Sequence, residues 1–304
     1  MPRLYRGILC LLCIGILLLS SVSASAFSLF PQNPETIRDG DTVYTVPRLT
    51  IEQQRQEQQG EEALNQCFFR HDSSVSFPFS DLSELSTEGQ QAVRMKMFFG
   101  ALKRHNSERQ NGQYMSCEII PIFRMTWKKS TQRCTFYFKY HITKAQDEAF
   151  WTQCQALVKQ AKISSDPQIG MQQIYDWICD HCDYDYALEK AQNDEWKNGH
   201  YDTVQPLPRV TGAGMMAAPI NGKYRGVCGS FAQTYYLMCR AMGWNTVSCV
   251  RNLQHNHMYN SCVWNGTTYL IDTCFADAKD AKRSNYFFKT QDQINQIDQS
   301  HQTD

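Results

Sequence analysis

Residues 226–242 read Gly226-Val227-Cys228-Gly229-Ser230-Phe231-Ala232-Gln233-Thr234-Tyr235-Tyr236-Leu237-Met238-Cys239-Arg240-Ala241-Met242, and Gly243 follows. Phe231, Tyr235, Met238, Cys239 and Met242 recur at helical spacing, which predicts a buried helix ending near Gly243. Cys228 falls at its first turn. Unpaired backbone N–H groups and the helix dipole favour a thiolate there, which makes the sulfur nucleophilic at neutral pH. A disulfide is the competing fate of such a cysteine. Gly226 and Gly229 leave room for a substrate to approach the sulfur, which favours the reactive reading.

Downstream, residues 256–272 (NHMYNSCVWNGTTYLID) carry an Asn265-Gly266 step between alternating residues, the signature of a two-residue hairpin turn. Setting Trp264 against Thr267 places Cys262 against Tyr269, Asn260 against Ile271 and Tyr259 against Asp272. His257 then shares a face with Asp272 and lies diagonal to it, within reach of the side chains. His255 lies on that face too, two residues further away, and is the weaker candidate base. Cysteine, histidine and aspartate in this order form a nucleophile, base and orienter.

Those residues carry a resemblance. Gly226-Val227-Cys228-Gly229-Ser230-Phe231-Ala232, His257-Met258-Tyr259-Asn260 and Thr268-Tyr269-Leu270-Ile271-Asp272-Thr273 resemble the three ordered motifs of the transglutaminase-like superfamily, in its secreted bacterial type. Tyr184-Asp185, after the helical run from Ile174 to Ile178, also resembles the family, and the likeness spans about Thr143 to Thr290. The chain departs from the pattern at Tyr259, where the family has tryptophan, and at Thr268, where a second aromatic is common. The resemblance implies a papain-like α+β core with the Cys228 helix packed on an antiparallel sheet. It also implies a Cys228-His257-Asp272 triad that acts on peptide or carboxamide bonds through a thioester. Superfamily members include cross-linking enzymes, cysteine peptidases, peptide N-glycanases and inactive proteins, so a non-catalytic secreted module that binds cell-wall or protein partners stays open. The implied partner is a protein or peptide, cell-wall peptide included, with no cofactor.

Outside this core the chain begins with Arg3 and Arg6, an uncharged run from Gly7 to Leu19 and Ala24-Ser25-Ala26. That is the pattern of a secretory signal with cleavage after Ala26, and it predicts a secreted protein with no span in the mature chain. Thirty basic and thirty acidic residues balance, so no global field draws nucleic acid. Of thirteen cysteines, eleven remain after Cys10 and Cys13 leave with the signal, an odd number that predicts some disulfides and a free thiol.

Composition divides the rest. Residues 27–66 read as a polar linker with one loose helix, and 67–142 as a small α+β region. In the latter, Gln90 to Leu102 is helical, while Ile119 to Trp127 and Cys134 to His141 are strands. The 143–290 core opens with helices over Lys144 to Ala161, capped by Thr143, and Gln168 to Ala187. Gly199 to Tyr224 is a long loop, and 291–304 is a polar tail. Cys179-Asp180-His181-Cys182 lacks further zinc ligands, and two cysteines facing helix neighbours, or disulfides to Cys117, Cys134 or Cys154, are the better readings. Asp180, Asp183 and Asp185 lack the glycine and glutamate of a calcium loop and read as a solvated face. For the oxyanion, the Cys228 backbone N–H is one donor. A second is open: Trp196 is one candidate, with packing as its more ordinary role.

Overall fold

A computed structural model describes residues 35–39, 42–79, 82, 85–107, 122–140, 142–197, 208–252, 257–277 and 282–297. The expected signal sequence, His255 and Cys117 lie outside them, as does the side chain of Trp196. The described residues up to 107 form one compact unit together with Ile122–Lys139, and those from Tyr140 onward form another. Helices and mainly antiparallel sheets make both units, as the α+β expectation requires. Among the described residues no helix is long and apolar enough to cross a membrane.

The first unit runs β1 (Thr36–Asp39), β2 (Thr42–Thr45), α1 (Ile51–Arg70), β3 (Ser74–Pro78), α2 (Thr87–Ser107), β4 (Ile122–Lys128) and β5 (Arg133–Lys139). The described residues of the expected linker, 35–39 and 42–66, belong to this unit, and the helix expected there is α1. Thr50 caps α1, its hydroxyl accepting from Gln53 N while Gln53 returns the bond to Thr50 N. The apolar anchors of α1 gather at its far end, where Leu64, Cys67 and Phe68 are buried. Phe68 meets Phe98 of α2 and Phe138 of β5 edge to face. In the sheet β5 pairs with both β3 and β4, antiparallel, and its alternate residues Cys134, Phe136 and Phe138 point into this core.

The second unit runs α3 (Lys144–Gln160), α4 (Pro167–His181), β6 (Cys182–Tyr184), α5 (Tyr186–Lys197), α6 (Gly212–Met216), β7 (Tyr224–Gly226), α7 (Cys228–Ala241), β8 (Val247–Asn252), β9 (His257–Trp264), β10 (Thr267–Ile271) and α8 (Gln291–Asn295). Its hub is α7, buried from Ser230 through Arg240 and packed against α3, α4, α6, β8 and β9. Phe231, Tyr235, Met238 and Cys239 form part of its core, as their spacing predicts.

Three local readings change. The helix expected to reach Ala187 stops at His181, because Cys182 turns extended and β6 pairs in parallel with β7; Asp185 then starts a new helix by accepting from Leu188 N. Within the expected loop 199–224, Thr211 caps the short helix α6, and buried Ala213, Met215 and Met216 join the core. The expected tail begins with α8, capped by Thr290, whose Ile294 is buried in a cluster with Tyr259 and Leu270.

Candidate active site

The site is assembled by α7 and the β9–β10 hairpin. Cys228 is the first residue of α7, and Ser230 prepares that turn: its Oγ accepts from Val227 N at 2.9 Å and donates to Arg209 O at 2.7 Å. Gly226 is small for packing rather than for access, since a Cβ there would lie 2.5 Å from Ser230 Oγ and 2.8 Å from Met215 Sδ. A Cβ on Gly229 would meet only Val210 O at 3.4 Å and Met258 Sδ at 3.9 Å. Gly229 is therefore the open flank of the cysteine.

Asn265 and Gly266 both take positive φ, 49° and 77°, the demand of a type I′ turn. The register is Trp264 with Thr267, Cys262 with Tyr269 and Asn260 with Ile271. His257 thus opens β9 beside Asp272, just past the end of β10. Nε2 of His257 lies 2.5 Å from Oδ2 of Asp272, and both side chains are buried. The other carboxylate oxygen, Oδ1, accepts from Cys274 N and Phe275 N at 2.9 Å each, which locks the carboxylate. The ring of Phe275 stands edge-on to the imidazole, 4.6 Å between centroids, and fixes its plane.

Burial works against a charged His257, but the Asp272 charge, its hydrogen bond and a hydrogen bond with Cys228 outweigh it and raise the imidazole to about 10. Cys228 is therefore near enough to the ring to act on its charge. The sequence-predicted Cys228, His257 and Asp272 meet at one place.

No protein-family model matches the sequence, and no curated protein matches it significantly.

A depression of about 430 Å³ is lined by Asp183, Tyr184, Asp185, Tyr186, Arg225 and Asp277. Burial, with Cys228 and Cys274 nearby, pushes the Tyr184 phenol up. Asp277 accepts from Tyr184 N at 3.1 Å; burial, with Asp183 adding to it, raises its carboxyl to about 6. Sequence reasoning passed over Asp277 because nothing local marks it; it follows Asp272 in a 3₁₀ turn, and only the fold carries it to β6. Of the three aspartates read as a solvated face, Asp180 bonds Arg283 at 2.6 Å, and Asp183 lies 3.6 Å from Lys223. Asp185 departs from that reading: it is buried, pairs with Arg209 at 2.7 Å and caps α5.

Among the described residues no two cysteines are joined by a disulfide, and no group of three or more potential ligands could hold a metal ion. The disulfides expected for Cys179 and Cys182 with Cys134 or Cys154 are thus not made. Burial pushes the Cys179 thiol to about 12 and those of Cys154, Cys182, Cys239 and Cys274 up as well, which leaves them poor nucleophiles. Cys228, only partly buried, stands apart from them.

Proposed function

We propose that this chain is a secreted cysteine enzyme of the transglutaminase-like type, with a papain-like core, exported by a signal sequence cleaved after Ala26. The observation that carries the reading is the buried His257–Asp272 pair, with Cys228 at the head of α7 near enough to act on its charge. Transfer of the Cys228 thiol proton to the imidazole generates the nucleophile. The thiolate attacks a peptide or carboxamide carbonyl, and the backbone N–H of Cys228 donates to the oxyanion. His257 then gives its proton to the departing amine or ammonia as the C–N bond breaks, and a thioester remains on Sγ. In the second half His257 takes a proton from the acceptor, which attacks the thioester and frees the sulfur. Asp272 keeps its Nε2–H hydrogen bond throughout and holds Nδ1 toward the sulfur.

Water as acceptor gives hydrolysis, and a primary amine gives a new amide. The test is to incubate the mature protein with carboxamide-bearing peptides, with and without a fluorescent primary amine, and follow both ammonia release and amide formation. Turnover lost in Cys228→Ala supports the reading. A folded protein whose Cys228 is unreactive and which turns over no peptide would instead favour a binding module.

A further inference from the structure

The cysteine and the histidine sit on different elements, so their separation depends on how α7 lies along β9. Apolar contact supports that packing, with Phe231, Ala232, Met258 and Cys262 in one core, but such contact is non-directional and tolerates sliding. Asn260 of β9 adds a directional link. It is 0 % exposed, and its Nδ2 donates to Ala232 O of α7 at 3.0 Å and to Ser248 O of β8 at 3.3 Å. It also lies 3.6 Å from Cys249 Sγ. One amide therefore joins the helix to two strands.

The amide's orientation follows from its surroundings, because the flipped form would set Oδ1 against two carbonyl oxygens. As placed, Oδ1 is buried with no hydrogen-bond partner. Burying it in that state carries a cost that leucine, of similar volume, would not incur. The location explains what the cost achieves. Ala232 is four residues from Cys228, about 6 Å along a helix, and Asn260 is three residues from His257, about 10 Å along a strand. A bond between these points fixes the helix head against the strand head.

We propose that Asn260 is a positioning residue that sets the separation of Cys228 and His257 by tying α7 to β8 and β9. The inference rests on the reading of Cys228 and His257 as a reacting pair. A shift of about 1 Å between reacting groups can cost about 100-fold in rate, which sets the scale of the effect.

The experiment measures the iodoacetamide alkylation rate of Cys228 by peptide mass mapping of the full chain, from pH 5 to 9. Asn260→Leu is expected to keep the wild-type circular dichroism and a cooperative melt, to slow Cys228 by about 10- to 100-fold, and to take the pH profile of His257→Ala. In the His257→Ala background it should add no further loss, because it acts through that histidine. Cys262→Ala, on the same strand and equally buried, should lower the melting temperature and leave the Cys228 rate within about twofold of wild type. Should leucine not fit, Asn260→Ala repeats the comparison. A wild-type rate and profile in folded Asn260→Leu, or an equal slowing with and without His257, overturns the proposal. If His257→Ala alone leaves the rate unchanged, the reacting-pair reading fails first and takes this inference with it.

Discussion

Oδ1 of Asp272 accepts two backbone N–H bonds, from Cys274 and Phe275, while Oδ2 of the same carboxylate sits 2.5 Å from Nε2 of His257. The carboxylate is held before it holds the imidazole, and in the proposed mechanism this order of support makes Asp272 an orienter rather than a partner in proton transfer.

Asp272→Asn keeps the size of the side chain and removes its charge. Turnover is expected to fall about 10²- to 10⁴-fold, the range for an orienting carboxylate, with substrate binding little changed. Steady-state kinetics that separate kcat from KM check this.

The same pair makes stability depend on pH. His257 is raised from about 6.5 unfolded to about 10 folded. Its stabilising contribution is whole below about pH 6.5 and is lost as pH climbs through about 10. Thermal melts of wild type and Asp272→Asn should therefore differ most near pH 6 and converge toward pH 10.

Asp277 shifts stability in the same direction, at lower pH and for a different reason. Burial raises its carboxyl from 3.8 to about 6, so its ionisation costs folding free energy as pH rises from about 4 through 6. Asp277→Asn retains an acceptor for Tyr184 N without the charge. The variant should gain stability relative to wild type above pH 6 and show no gain at pH 3.5, as read by chemical denaturation.

The two glycines that flank Cys228 should respond differently. In Gly226→Ala the new methyl collides with Ser230 and Met215, with an expected loss of about 1–3 kcal/mol as the core is overpacked. Gly229→Ala has room and should melt near wild type. If Gly229 is the side from which substrate enters, its alanine variant raises KM while folding is unaffected. Equilibrium unfolding paired with kinetics distinguishes the two.

Legibility in the sequence followed how local each signal is. The hairpin was readable because Asn265-Gly266 dictates its turn, and the turn dictates the register that brings His257 to Asp272. The Cys228 helix was readable because its apolar spacing is regular and its core is continuous. The end of α4 was not, because Cys182 leaves the helix to pair with Tyr224, forty-two residues on. Glycine content argued against α6, yet Thr211 caps it and burial of Met215 and Met216 holds it. The polar first turns of α1 made its expected helix read as loose, because the apolar anchors sit at its last turns. Cysteine number suggested disulfides, whereas burial keeps most described cysteines apart as core residues.

Activation of Cys228 by His257 is read most directly from the alkylation rate of Cys228 at pH 6.5 in wild type and in His257→Ala. Selective labelling of Cys228 ahead of the buried thiols is expected, slowed about 100-fold or more when His257 is removed. Equal rates in the two proteins, or a Cys228 labelled no faster than an ordinary exposed thiol, would contradict it.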